Sequence, residues 1–323
     1  MEIKQYKEEF LAHLQNKISV VEPQNLYKPI EYILELGGKR LRPILVLMGV
    51  TAFEGSHKKG LDAALAIEVF HNFTLLHDDI MDDAPLRRGK DTVHEKWNVN
   101  TAILSGDAMM ILSYQLLDFY KGDIYKKLMQ LFNKTALEVC EGQQYDMDFE
   151  SREQVSEQEY IQMIGLKTSV LVAAALKMGA IIAEAPEQEA QKIYDFGLNL
   201  GIAFQLQDDY LDAYGDSASF GKQVGGDIME NKKTYLYIEA LKNANPEIKK
   251  ELLGWYAEDL EDNTEKVRRV KELFTLTNSD RSTQDAIQSY TKKAFKVLDT
   301  ISISKANSFV LKQFGENLMT RNV

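Results

Sequence analysis

Two runs of aspartate, each set in an apolar stretch of helical periodicity, constrain this chain more than any other feature: DDIMDD at Asp78–Asp83 and DDYLD at Asp208–Asp212. Both contain Asp-Asp-x-x-Asp. In a helix the first and fifth positions lie one turn apart on one face, so Asp78 pairs with Asp82 and Asp208 with Asp212. Like charges at that spacing repel and weaken the helix. A chain that does this twice beside apolar runs calls for a cation. Carboxylates suit hard cations, and Mg2+ characteristically takes one or two of them together with phosphate oxygens. One reading is two carboxylate walls around a single Mg2+–diphosphate cluster. The other is two solvated acidic helix ends. A single run does not separate the two readings, and the basic motifs described next favour the first.

Helical periodicity continues almost throughout. It predicts helices over about 2–20, 26–36, 41–54, 60–83, 99–120, 123–149, 157–182, 187–213 and 230–243, then three more in the charged tail from Asn245. No alternating strand pattern or hairpin signal interrupts the series. Only 6 Pro and 19 Gly occur in 323 residues, which fits long unbroken helices. No linker or repeat divides the chain, so the expectation is one all-α domain over residues 1–323. A net charge of −11 argues against a nucleic-acid partner, which would need a basic face. The single Cys140 cannot form an intrachain disulfide and points to a reducing cytoplasm, where it reads as a small packing residue. The charged N-terminus lacks a signal-peptide core, and the longest apolar segment, KTSVLVAAALKMGAIIAEA, is broken by Lys177 and Glu184. It reads as a buried core helix, with no stable membrane insertion.

Basic and polar motifs accompany the acidic runs. Gly37–Gly38–Lys39–Arg40–Leu41–Arg42–Pro43 joins two helices, with Pro43 in the first turn of the second. Lys39 and Arg42 beside a helix N-terminus suit an anion, although many helix–helix loops look similar. His71 lies seven residues before Asp78 on the same face, as a phosphate contact or a satisfied core histidine. Arg87 and Arg88 precede Gly89 on a turn, where two guanidiniums can point apart and grip different phosphates; a surface pair is the alternative. Lys167 and Thr168 sit in an apolar helix, where a lysine needs a partner or must reach out to water. Gln205, Asp208, Asp209 and Asp212 share one helix face. Lys222 lies in the glycine-rich segment Gly221–Asp227, followed by Lys232 and Lys233, and Gly142–Asp146 (GQQYD) is a weaker polar patch.

The ordered set GGKRLRP, LLHDDIMDD, LRRG, GQQYD, LKTS, FQLQDDYLD and GK…GGD…NKKT resembles the trans-isoprenyl diphosphate synthases, the polyprenyl synthetase family. The set covers most of the chain and is specific although each piece alone is not. The resemblance implies a bundle of antiparallel helices of isoprenoid synthase type around a deep central apolar cavity, forming a homodimer. It implies a short-chain prenyltransferase that condenses isopentenyl diphosphate with dimethylallyl, geranyl or farnesyl diphosphate. Three Mg2+ ions would be held by Asp78, Asp82, Asp208 and Asp212, with Asp79 and Asp209 in support. Arg87, Lys167, Thr168, Gln205 and Lys222 would hold the allylic diphosphate, and Lys39, Arg42, His71 and Arg88 isopentenyl diphosphate. Apart from the resemblance, the single arginine of the C-terminal Arg321–Val323 marks that segment as a candidate cap for the site.

In this family the residues just before the first run set the product length. Phe73 and Thr74 stand fifth and fourth before Asp78, and five helical residues rise about 7.5 Å, one or two isoprene units. Phe70, a turn deeper, would be a second floor. An aromatic at the fifth position without a two-residue insertion in the motif resembles geranylgeranyl-producing members, so the expected product has twenty carbons, with fifteen the alternative. Two other readings are a class I terpene synthase, which usually carries an Asn/Ser/Glu motif on its second wall, and a non-catalytic subunit, which typically loses one aspartate run.

Overall fold

The computed structural model describes residues 3–215, 224–258, 260 and 262–320. Lys222 and Arg321–Val323 lie outside the described residues. The helices are α1 (Ile3–Lys17), α2 (Gln24–Glu35), α3 (Leu41–Ala52), α4 (Leu61–Met81), the short α5 (Val93–Lys96), α6 (Val99–Leu117), α7 (Gly122–Ser151) and α8 (Glu157–Ile164). A π-turn (Gly165–Ser169) leads directly into α9 (Val170–Ile182), followed by α10 (Glu187–Tyr214) and the short α11 (Gly226–Met229). The C-terminal part holds α12 (Tyr235–Asn243), α13 (Pro246–Trp255), α14 (Thr264–Leu276), α15 (Ser279–Leu298) and α16 (Lys305–Met319). The fold is all-α, as the periodicity predicts.

Several particulars differ from the sequence expectation, among them the short helices Val93–Lys96 and Gly226–Met229 and a helix that begins at Tyr235 where 230 was expected. Among the described residues the tail after Asn245 forms four helices, not three. A minimal antiparallel hairpin, β1 (Leu86–Arg87) and β2 (Lys90–Asp91), occurs where only a turn was expected. Two-residue strands are too short to show a period. The helix expected over 157–182 changes to π geometry at Gly165–Ser169. Cys140 is exposed on α7 rather than packed.

The chain folds into two compact units. The first comprises Met1–Lys134, Ala174–Tyr194 and Ser302–Asn307; the second comprises Thr135–Ala173, Asp195–Ile301 and Ser308–Val323. Helices α7, α9, α10 and α16 contribute residues to both. In the first unit α4 is the central element: it packs mainly on α6 and also on α3 and α1. Its residues Ala63–Phe70 are buried almost without interruption, which explains why this stretch is apolar all round and not amphipathic. Helices α3 and α9 cross closely at Gly49 and Gly179, where an added Cβ would stand 2.4 Å from Leu176 O and 2.2 Å from Val46 O. In the second unit the core joins Leu206 and Ala213 of α10 to Tyr160 and Met163 of α8, Leu236 and Ile238 of α12, and Val270, Leu273 and Phe274 of α14. The continuous run Glu157–Ile182 is long and apolar enough to cross a membrane by length and composition, and 67% of its most apolar window is buried inside the protein.

Candidate active site

The first unit carries the larger group of the predicted residues. Helix α4 ends at Met81, with Asp82 as its C-cap. Asp78 is half-buried, Asp79 buried and Asp82 exposed. Arg87, on the hairpin, holds Asp79: its Nε lies 2.8 Å from both carboxylate oxygens and its Nη2 2.6 Å from Oδ1. Burial pushes the Asp79 carboxyl above the usual range, and the Arg87 guanidinium pulls it back. This pairing uses the Nε–Nη2 edge of the fork and leaves the opposite edge for an anion.

Arg88 and Gly89 both have positive φ, 55° and 74°, as a two-residue hairpin loop of type I′ requires. The two arginines accordingly go different ways. Arg88 donates to the carbonyl of Gly37 in the GGKR loop, the separation anticipated for the pair. Within that loop Arg40 was not singled out as a functional residue, yet it is the most buried of its cations. It donates to Glu68 on α4 and to the carbonyl of Leu34, and so fixes the start of α3, where Arg42 stands, against α4. Its sequence neighbourhood gave no sign of burial, because the motif reads as uniformly basic. Lys39 remains exposed.

Arg42 and His71 meet at 2.9 Å between Nη1 and Nε2. A guanidinium only donates, so Nε2 is the acceptor and the ring proton sits on Nδ1. Burial and the charges of Arg42 and Arg88 push the His71 pKa well below the usual histidine value. The imidazole is therefore neutral and acts first by orienting Arg42.

The second unit carries the remaining group. Lys167 and Thr168 lie in the π-turn, where Lys167 Nζ donates to Asp146 at 2.6 Å and Thr168 Oγ1 to Gln205 Oε1 at 3.2 Å. Helix α7 approaches this turn closely because residue 142 is glycine: a Cβ there would lie 2.1 Å from the Lys167 backbone nitrogen. The patch Gly142–Asp146 thus serves the Lys167 turn, as backbone clearance and as counter-charge.

On α10 the Gln205–Asp212 face does not present its carboxylates alike. Asp209 is buried; Gln205 Nε2 donates to its Oδ1 at 3.0 Å, and the Tyr160 hydroxyl donates to its Oδ2 at 2.5 Å. Burial, with the charges of Asp227 and Asp208, pushes Asp209 well above the usual aspartate value. Asp212 is also buried and accepts the Asp227 N–H at 3.0 Å, an anchor for α11. Asp208 stays half-buried. Tyr160 was missed in the sequence because it lies 49 residues before its partner and reads as a core aromatic. Lys233 donates to the carbonyls of Phe149 and Glu150, so it tethers the end of α7.

The residues expected to set product length lie on α4 in the first unit. Phe73 and Phe70 are buried, with ring centroids 5.5 Å apart. Phe70 also meets Phe132 of α7 edge-on at 5.2 Å, and Phe132 in turn meets Tyr114 of α6 at 5.1 Å. Thr74 turns its hydroxyl back to the His71 carbonyl, which leaves the two phenylalanines as the bulk on this face. The donors that Asp78, Asp82, Asp208 and Asp212 offer a metal are carboxylate oxygens without nitrogen or sulfur, a set that fits a hard cation such as Mg2+.

Residues 23–275 match the model of the polyprenyl synthetase family. A geranylgeranyl diphosphate synthase of Methanosarcina mazei is 39% identical over 277 residues, 85% of each chain. A crystal structure of a geranylgeranyl pyrophosphate synthase superposes with a TM-score of 0.96 at 52% identity, covering 100% of both chains. The geranylgeranyl pyrophosphate synthetase of the archaeon Geoglobus acetivorans superposes with a TM-score of 0.89 at 30% identity, covering 99% of each.

Proposed function

We propose that this chain, which belongs to the polyprenyl synthetase family and is a short-chain trans-prenyltransferase, joins isopentenyl diphosphate to an allylic diphosphate and makes the twenty-carbon geranylgeranyl diphosphate. The observation that carries this reading is the retention of both aspartate runs, each with its middle carboxylate already satisfied by a dedicated partner. A non-catalytic subunit typically loses one of the runs, and a terpene cyclase has no need of the Arg42–His71 pair beside Lys39 in the sequence.

In this reading Asp78 and Asp82 of the first run, and Asp208 and Asp212 of the second, would be the residues that hold Mg2+. Bound there, Mg2+ supplies Lewis-acid stabilisation of the negative charge that builds on the departing diphosphate. Arg87 and Lys167 would each bind diphosphate and add to that stabilisation, and Lys222, outside the described residues, is the third expected cation. Arg87 does so with the edge turned away from Asp79. The allylic C–O bond breaks with its electron pair leaving on oxygen. The double bond of isopentenyl diphosphate, held by Lys39, Arg42 and Arg88 with Arg42 oriented by neutral His71, then forms the new C–C bond. A proton leaves the adjacent carbon for the released diphosphate, so no protein nucleophile takes part. Thr168 and Gln205 place oxygen dipoles near the cation, and an apolar cavity keeps water from it.

Phe73 and Phe70, backed by Phe132, form the floor that ends elongation. The exposed apolar side chains Ile103, Leu104 and Ile111 of α6 are the proposed homodimer contact, and the cytoplasm is the proposed compartment. Purified protein given Mg2+, isopentenyl diphosphate and each allylic starter, with products read by mass spectrometry, tests the activity. The reading requires linear diphosphates growing by five-carbon steps to a twenty-carbon major product, and longer products from Phe73→Ala. Hydrocarbon products would instead indicate a cyclase, no reaction with any starter a silent subunit, and a fifteen-carbon limit a higher floor.

A further inference from the structure

Helix α4 ends in a Schellman-type turn: Asp83 N–H bonds Ile80 O at 3.4 Å and Ala84 N–H bonds Asp79 O at 2.9 Å. This puts Asp83 at the left-handed position, φ 49°, which glycine usually fills. From there the chain runs out to the Arg87–Arg88 hairpin and returns, closed at its base by Thr92. The Thr92 N–H bonds Pro85 O at 3.1 Å and its hydroxyl bonds Ala84 O at 2.8 Å. Immediately after this closure stand His94 and Glu95. The donor atoms of Asp83, His94 and Glu95 all lie within 4.8 Å of one another.

His94 sets this group apart from an ordinary surface acidic cluster. It is buried, 7% exposed, yet neither ring nitrogen has a hydrogen-bond partner among the described residues. Its nearest carboxylate contact is Glu95, 3.8 Å from Nε2, too far for a hydrogen bond. A buried imidazole with both nitrogens unsatisfied carries a desolvation cost that some ligand should offset. Two exposed carboxylates converge on it from opposite ends of the hairpin segment.

The geometry points to a binding site for a first-row divalent cation at Asp83, His94 and Glu95, separate from the Mg2+ ligands, which clasps the base of the hairpin that carries Arg87 and Arg88. One imidazole nitrogen and two carboxylates suit Zn2+ or its neighbours better than Mg2+. Donors around a tetrahedral Zn2+ stand about 3.4 Å apart for arms of about 2.1 Å. Binding would require the observed spread of up to 4.8 Å to close towards that value, and Asp83 and Glu95, both exposed, have room to turn. The clasp would join the end of α4 to α5 and restrain the segment between them without touching substrate.

The test is Zn2+ binding to the full chain by calorimetry in a millimolar excess of Mg2+, which occupies the oxygen-only sites. The expected result is one Zn2+ retained per chain, weakened more than about tenfold in His94→Gln. Asp83→Asn and Glu95→Gln, both on exposed residues, should weaken it in the same direction, and Asp78→Asn should leave it unchanged. Zn2+ should also slow amide hydrogen exchange over residues 84–92 in the wild type and not in His94→Gln. If the wild type retains no Zn2+ under excess Mg2+, the site does not exist. Equal binding by wild type and His94→Gln would place the ion elsewhere. Should His94→Gln fail to fold by circular dichroism, unchanged affinity in both carboxylate variants overturns the proposal just as directly.

Discussion

The two aspartate runs share a motif and solve its central problem in opposite ways. In the first run the buried middle residue, Asp79, faces a full positive charge, the Arg87 fork. In the second, the buried middle residue, Asp209, faces two neutral donors, Tyr160 and Gln205. A guanidinium offsets the desolvation of a carboxylate; a hydroxyl and an amide satisfy its lone pairs and leave its charge costly. The Asp79 carboxyl is therefore pulled in two directions, whereas the Asp209 carboxyl goes well above its usual value. The fifth positions differ as well: Asp82 is an exposed helix cap, whereas Asp212 is buried and anchors α11. Identical sequence patterns thus give one run built on charge pairing and one built on neutral hydrogen bonds.

The largest effect should come from what the runs share. Asp78→Ala and Asp208→Ala should each lower kcat by about 100- to 1000-fold, the range for removing one preorganised stabiliser of a leaving charge. A much smaller loss in either variant would show that the runs are not equal partners in the chemistry.

Removing the middle partners should separate them. In metal-free protein Arg87→Ala leaves a buried carboxylate without its counter-charge and should cost about 3 kcal/mol, the low end for such losses because the Arg87 side chain is 23% exposed. Tyr160→Phe removes one of two neutral donors and should cost about 1–2 kcal/mol. Denaturant unfolding measures both, and equal costs would erase the distinction between the runs.

The smallest and most diagnostic effect is the pH dependence of metal-free stability. The folded pKa of Asp209 is raised, so between the usual aspartate value and that folded value the native state holds a proton the unfolded chain has lost. Stability from this group is present at low pH and is lost as pH rises through the window, and Asp209→Asn should remove the slope. The folded pKa of His71 is depressed, so the unfolded chain takes up a proton first. Its contribution is present above the usual histidine value and is lost as pH falls toward the folded pKa; His71→Gln should remove that slope. Thermal melts across pH give both signs, and slopes of the same sign would contradict the assigned environments.

Much of this was legible in the sequence, and the rest was hidden for identifiable reasons. Helix α4 was predicted at 60–83 and found at Leu61–Met81 because its apolar content and its acidic end both follow helical geometry. The divergence of Arg87 and Arg88 followed from Gly89 in the turn. Periodicity has no means of showing the π-turn at Gly165–Ser169, which changes backbone hydrogen bonding without altering side-chain type. The GQQYD patch gave only an ambiguous polar signal until Gly142 and Asp146 were found against Lys167. The Arg40–Glu68 and Tyr160–Asp209 pairs join residues 28 and 49 positions apart, and no local pattern connects them.

The central claim is that both runs are needed to bind Mg2+ with a diphosphate, and the most direct measurement is Mg2+-dependent thermal stabilisation by a bisphosphonate. The account predicts a clear rise in Tm for wild type only when Mg2+ and bisphosphonate are both present. That rise should be lost in Asp78→Asn and in Asp208→Asn alike. Full stabilisation surviving in either variant would contradict it, because the altered run would then not be needed.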